Sequence, residues 1–197
     1  MRLYDGKSRR LYINAAERKR FLKIAKRQEL EIRAFCLTLF YTGCRLSEGL
    51  ALTASAVDLH SSLISFRTLK KRQLHEVREV PIPPVLVRTL KALIRQRHIQ
   101  NPFAAPDALK LWQQHGRPLN RTTGYRWIKA VMQTADIRGA QASPKGLRHG
   151  FGVHAQQCGV QLNMLRKWMG HASIATTAIY ANAVGKEEME IAGRMWG

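Results

Sequence analysis

Apolar residues recur at helical spacing over most of the chain. "NAAERKRFLKIAKRQ" (14–28) predicts an amphipathic helix opened by Asn14, a residue suited to an N-cap. "ELEIRAFCLTLFYTG" (29–43) is apolar on most faces and predicts a buried core helix stopped by Gly43. "RLSEGLAL" (45–52) reads as a short helix with Ser47 and Glu48 in its first turn. The period then changes. "SLISFRTL" (62–69) and "HEVREVPI" (75–82) alternate apolar and polar positions around a basic "KKRQL", which predicts a β-hairpin. Pro83 and Pro84 end it and lead into a helix over 85–98. Residues 99–120 read as loops. Helices follow over 121–137, 143–159, 160–170, 173–183 and 186–196, with Ser-Pro at the start of the second and Gly159 at its end. There are no repeats and no low-complexity linker. The pattern is that of one mainly helical domain with a small antiparallel β-sheet, an α+β fold. Residues 1–12 are basic and unpatterned and read as an arm.

Composition narrows the function classes. With 197 residues, 45% of them hydrophobic, the chain is long enough for one full core. No stretch approaches the ~18 uncharged apolar residues of a membrane span, and the N-terminus "MRLYDGKSRR" lacks the apolar run of a secretory signal. Cys36, Cys44 and Cys158 are too few and too scattered for a disulfide framework, which favours a reducing, cytoplasmic compartment. Charge is the strongest bulk signal. Thirty-three basic against thirteen acidic residues leave a formal +20. A fold this basic repels itself unless a polyanion is near, so nucleic acid is the expected partner, held less tightly as salt rises. A membrane surface would want the charge gathered on one amphipathic helix. A ribosomal protein would carry it in disordered tails, whereas here it sits inside patterned segments. A metal nuclease would need a carboxylate cluster, and the thirteen acidic residues form none in sequence.

Four segments, in order, carry the candidate chemistry: "TGCRLSEGLAL", "LKKRQLHEVREVPIP", "PKGLRHGFGVH" and "WMGHASIATTAIY". Together they resemble the catalytic domain of the tyrosine recombinases, the phage integrase family, over roughly residues 14–190. The resemblance implies the tyrosine recombinase catalytic-domain fold and a reaction in which Tyr180 attacks a DNA phosphodiester. A covalent 3′-phosphotyrosine would keep the bond energy, so that the strand is rejoined without ATP, metal or other cofactor. A phenol has a pKa of about 10, so Tyr180 needs an electropositive site or a base. Arg45 and Arg148 match the two family arginines, whose fixed donors suit the charge spread over non-bridging oxygens. Taken alone, Arg45 reads as a surface residue pairing with Glu48 at i+3, and Arg148 as an ordinary helix-start arginine.

The leaving 5′-oxygen needs a proton, which in the family comes from a hairpin lysine. Lys70 fits best, with Lys71 as runner-up; the alternative for both is a solvated turn. His171 would hold the phosphate or orient Tyr180. Lys145 stands where many relatives carry His; a protonated lysine donates but cannot accept, unless burial among cations lowers its pKa. His149 is expected to be structural, bonding backbone near the site. Small residues around Tyr180 are expected to let a DNA backbone come close. His154 and Cys158 stand at i and i+4, but no second pair completes a metal site.

The resemblance also suggests boundaries: an arm over 1–12, the catalytic domain over 13–185, and a C-terminal helix over 186–197. That helix carries Met189, Ile191, Ala192, Met195 and Trp196, for docking on its own core or on a neighbouring copy. Most relatives carry a DNA-clamping domain ahead of the catalytic one, for which the chain has no room, so the expectation is a short single-domain recombinase or a catalytic fragment. Expected partners are double-stranded DNA, a homo-tetramer on paired sites, and an accessory protein. Two other function classes stay open: a type IB topoisomerase using the same chemistry, and a regulator that binds DNA with this fold without cutting it.

Overall fold

The computed structural model describes residues 2–67 and 77–181, together with Gly193, Met195 and Trp196. Helix α1 (Ala15–Ala25) starts as expected at Asn14, whose side chain accepts from the Glu17 N–H while the Glu17 carboxylate accepts from the Asn14 N–H. Helix α2 (Leu30–Thr42) is the central rod, touched by α1, α3, α4, α5 and α6. Ala34 through Phe40 are all buried, which is why its sequence shows no polar face. Thr38 and Thr42 sit in this apolar rod because their hydroxyls donate to the carbonyls one turn back, Ala34 and Thr38. The rod ends where Gly43 takes a left-handed conformation at φ 59°. A side chain there would also run into the Phe151 ring, 2.4 Å from the position of a Cβ.

Helix α3 (Leu46–Leu50) is followed by a short 3₁₀ turn (Ala54–Ala56) and a three-stranded antiparallel sheet in the order β1 (Val57–Asp58), β2 (Leu63–Arg67), β3 (Val77–Pro81). The expected hairpin is β2–β3, paired in the register Ile64↔Val80 and Phe66↔Arg78. Its loop, with Lys70 and Lys71, lies outside the described residues. The alternation also left out β1, which is two residues long and too short to show a period.

Helix α4 (Pro84–Gln100) packs on α2 and buries Leu86, Leu90, Leu93 and Arg97. The segment read as loops, 99–120, is more ordered than its composition implied. It buries Leu109, Leu111 and Trp112, and folds a small hairpin of β4 (Gln113–Gln114) and β5 (Arg117–Pro118). The Trp112 indole donates to the Gly49 carbonyl at 2.6 Å, so the side chain can lie inside without an orphaned N–H. Then come α5 (Arg121–Thr134), α6 (Pro144–Gln157), α7 (Leu162–Met169) and the single turn α8 (Ala175–Ala178). The helix expected over 173–183 is therefore short, and Tyr180 lies in the turns that follow it.

Residues 1–12, expected as a loose arm, fold back on themselves where they are described. Tyr4 and Arg10 form an antiparallel bridge, and Asp5 accepts from Arg9 across the turn. Leu3 and Tyr12 are buried in a small apolar cluster with Val153, Leu165, Met169 and Tyr180. Alternate apolar residues in a short basic segment were the only signal, and charge masked it. No helix among the described residues is long and apolar enough to cross a membrane.

Candidate active site

Two arginines meet on one carboxylate, and a third lies beside them. Arg45 is the N-cap of α3, and the Glu48 carboxylate one turn on accepts from its backbone N–H at 2.9 Å and from its Nη1 at 2.6 Å. The pairing read from the i+3 spacing is therefore present. Glu48 Oε2, which accepts from the Arg45 N–H, also accepts from Arg78 Nη2 at 2.6 Å, while Oε1 takes the Arg45 side chain. Burial by itself would raise the Glu48 pKa, but Arg78 and then the Arg45 backbone and side chain outweigh it and hold the carboxyl below its ordinary value. Arg45 also donates from Nη2 to the Gly170 carbonyl, and Arg78 from Nε to the Trp168 carbonyl at 2.9 Å. The end of α7 is thereby tied to α3 and the sheet.

Arg148 enters from α6, whose first turn is set by Ser143 accepting from the Gly146 N–H. It donates to the Gly43 carbonyl at 2.6 Å and to the Met169 carbonyl at 2.7 Å. Burial and then the neighbouring Arg45 lower its pKa to about 10, which still leaves it a cation at neutral pH. Arg45, Arg148 and Lys145 line one open concavity with Arg121, Tyr125 and Ser143. Lys145 is exposed in the first turn of α6, so the burial that would suit it to a base is not present. Lys70 lies outside the described residues.

Sequence reading missed Arg78. The signal was in the strand: Arg78 takes an inward position of "VREVP", opposite Phe66, where alternation calls for an apolar side chain. Its guanidinium lies 4.9 Å from the Phe66 ring centre and is buried.

His171 follows the left-handed Gly170 that caps α7. Its Nδ1 is 2.9 Å from the Thr177 hydroxyl, and its ring stacks on Tyr180 at 6.2 Å between centres and 14° between planes. Burial first, and then Arg148 and Arg45, pull its pKa down to about 3. The ring is therefore neutral near pH 7, with a buried Nε2 that has no hydrogen-bond partner among the described residues.

Two expectations about Tyr180 are corrected. Its small neighbours do not open it to an approaching backbone; they let the ring sink inward, and it is only 1% exposed. Gly152 makes the slot: a Cβ there would lie 2.6 Å from the ring. His149 does not bond backbone either. Its Nδ1 is 3.2 Å from the Tyr180 hydroxyl, three residues before Gly152 and so on the same face of α6. Burial, then Lys145 and Arg148, lower the His149 pKa to about 4, so a neutral imidazole faces the phenol. For Tyr180, burial outweighs the pull of Arg148 and Arg45, and the phenol is pushed up to about 12. In this conformation Tyr180 is a covered, protonated phenol beside an arginine cluster. His154 and Cys158 lie 3.7 Å apart at the far end of α6, and among the described residues no three potential metal ligands gather.

The comparisons with known proteins agree with this architecture. A family model described as "Phage integrase family" matches residues 12–187. The tyrosine recombinase XerA of Pyrococcus furiosus is 26% identical over 178 residues, covering 90% of this chain and 59% of its own length. A crystal structure of XerA recombinase superposes with a TM-score of 0.79 at 26% identity, over 93% of this chain and 64% of that one. The fold recurs in a XerH site-specific recombinase bound to difH substrate in a pre-cleavage complex, with a TM-score of 0.75 at 21% identity, over 98% of this chain and 60% of that one. The chain thus spans about three fifths of the length of these relatives. With the family model matching most of its residues, the chain belongs to the phage integrase family.

Proposed function

We propose that this chain performs the strand breakage and rejoining of site-specific DNA recombination. The observation that carries the reading is the meeting of Arg45, Arg148, Lys145, His171 and Tyr180, drawn from separate segments, in and beside one basic concavity. In the proposed reaction the Tyr180 phenol gives up its proton, for which the neutral His149 ring at 3.2 Å is an acceptor, its oxygen bonds to phosphorus and the bond to the 5′-oxygen breaks. Arg45 and Arg148 face the non-bridging oxygens, and neutral His171 offers its free Nε2 as a further partner. Lys145 adds a donor at the rim. Lys70, or Lys71 in its place, protonates the leaving 5′-oxygen. Attack by that 5′-hydroxyl reverses the step, so the phosphodiester is conserved and ATP is not consumed. Arg78 touches none of these atoms; through Glu48 it positions Arg45. Because Tyr180 is covered, the turns that carry it must move out before attack.

The catalytic unit in this reading is 13–185, acting on double-stranded DNA as a homo-tetramer over paired sites, with an accessory protein as a further partner. The XerH complex with its substrate supports DNA as the ligand of this fold. The test is covalent trapping. Nicked suicide duplexes are incubated with wild type, Tyr180→Phe and Arg148→Ala, then run on a denaturing gel. Wild type is expected to give a shifted protein–DNA band, Tyr180→Phe none, and Arg148→Ala far less band at nearly unchanged DNA affinity. An adduct that survives in Tyr180→Phe sinks the assignment of the nucleophile. Equal losses of cleavage and affinity in Arg148→Ala would reduce that residue to a DNA contact. Relaxation of supercoils without site pairing would move the reading to a type IB topoisomerase.

A further inference from the structure

On the far side of the arginine cluster lies a second concavity, of about 410 Å³, between α1, α2 and the C-terminal half of α6. Its walls are apolar, with Leu22, Phe40, Tyr41, Phe151, Val160 and Trp168 facing inward. One buried charge enters it, with the exposed Lys19 also on its wall. Arg18 projects from α1, is 7% exposed, and holds its guanidinium 4.3 Å from the centre of the Phe40 ring. Its Nη1 is buried with no hydrogen-bond partner among the described residues. The other lining groups that titrate are Lys19, Tyr41, His154 and Cys158, and none of the lining residues is a carboxylate.

Nη1 of Arg78 and Nη2 of Arg97 also lack a hydrogen-bond partner among the described residues, but each of the other buried arginines has an acceptor elsewhere on its guanidinium. Arg78 has Glu48, Arg97 has Glu31, and Arg148 has two carbonyls. A ring face satisfies part of a guanidinium's charge but leaves the buried Nη1 without an acceptor among the described residues, which is costly. A cavity of this size, mostly apolar with one convergent polar group, has the dimensions of a small-molecule site. A sugar or a polyphosphate would meet apolar walls and one buried cation; an apolar body bearing a single carboxylate would meet its complement at both ends.

We infer that this cavity binds a small apolar carboxylate, an alkyl- or aryl-carboxylic acid, whose carboxylate pairs with Arg18 and whose body lies against Phe40, Phe151 and Trp168. The site does not rest on the strand-exchange reading. It backs onto the arginine cluster: Phe151 lies against Gly43, whose carbonyl holds Arg148, and the Trp168 carbonyl holds Arg78.

The experiment uses decanoate and decanol as probes and reads the indole N–H NMR signals of Trp112, Trp127, Trp168 and Trp196. In wild type, decanoate is expected to shift the Trp168 signal saturably, binding about ten-fold or more tightly than decanol, the margin of one charge-assisted hydrogen bond. Equal binding of the two probes, or no saturable shift at Trp168, overturns the inference without any variant. Arg18→Leu keeps the apolar stem and takes one charge from a formal +20, so the general attraction for anions survives. That variant is expected to bind decanol as before and to lose the preference for decanoate, with the core indole signals of Trp112 and Trp127 reporting an intact fold. A preference that persists in Arg18→Leu assigns it to bulk charge and overturns the inference. So does a glutamate-bearing amphipathic peptide that saturates the cavity where decanoate does not, which would give the surface to a protein partner.

Discussion

At the scale of single residues, burial controls the chemistry of the site. His149 and His171 are held neutral because each is enclosed with cations nearby. In the unfolded chain they take up protons as pH falls through about 6.5. In the folded chain they resist until about 4 and about 3. The unfolded state therefore binds more protons in that window, so their contribution to stability is complete above about pH 6.5 and is lost as pH falls toward the folded values. The melting temperature should drop between about pH 7 and pH 5, and His149→Gln should flatten part of that slope; an unchanged slope would mean that another group carries it. Gly152 gives a second residue-scale prediction. Alanine there gains about 1 kcal/mol in helix propensity but forces a methyl into the Tyr180 ring, a cost of about 1–3 kcal/mol. Gly152→Ala is expected to melt lower and to make Tyr180 reactive to tetranitromethane, read by mass spectrometry of the nitrated peptide. Full stability with Tyr180 still protected would show that the slot has spare room.

At the scale of elements, the site is a set of ties between chain ends. The C-terminal end of α2 is held by Arg148, the start of α3 by Glu48, and the end of α7 by Arg45, Arg78 and Arg148 through the carbonyls of Gly170, Trp168 and Met169. Helix ends leave orphan carbonyls, and here guanidinium groups satisfy three of them on α7 and its cap. Glu48 is the hub. It is 5% exposed and neutralises two arginines. Glu48→Ala should lose about 3 kcal/mol in urea denaturation, because the buried Arg78 then lacks its counter-charge. Arg78→Met with Glu48→Ala should recover part of that loss, and a double variant as unstable as the single would argue against a charge origin. Elements were the best-read level of the sequence. Asn14, Gly43 and Ser143 mark helix ends by local chemistry alone, and the period of two marks β2 and β3. Two-residue strands such as β1 carry no period, and the order within 99–120 depends on Trp112 reaching Gly49 through space.

At the scale of the whole molecule, charge is the dominant property. A formal +20 spread over patterned elements leaves Arg45, Lys145 and Arg121 together on one concavity. If six or more phosphates are contacted, affinity for a duplex should fall by roughly 10³-fold between about 50 and 200 mM salt, as released counterions lose their entropic advantage. A filter-binding or anisotropy titration across salt gives the slope, and a shallow one would point to a smaller footprint. The covered Tyr180 belongs to this scale as well. It is held between α6, α7 and the folded-back N-terminal segment, so its release is a rearrangement of packing between distant parts of the chain.

By itself the sequence determined what depends on near neighbours. Helix and strand periods, capping residues, the i+3 pair of Arg45 with Glu48, the net charge, and the order of the four segments are all local or additive. The position of Arg45, Arg148 and His171 about one site followed from their resemblance to a family, not from spacing. Tertiary structure alone decided which atoms meet. Arg148 reaches Gly43 across 105 residues, Arg45 reaches Gly170 across 125, and His149 meets Tyr180 across 31. The inward Arg78, the neutral histidines and the hidden phenol follow from those meetings. Burial and charge act through space, and a one-dimensional pattern does not record which distant side chains share a dry interior.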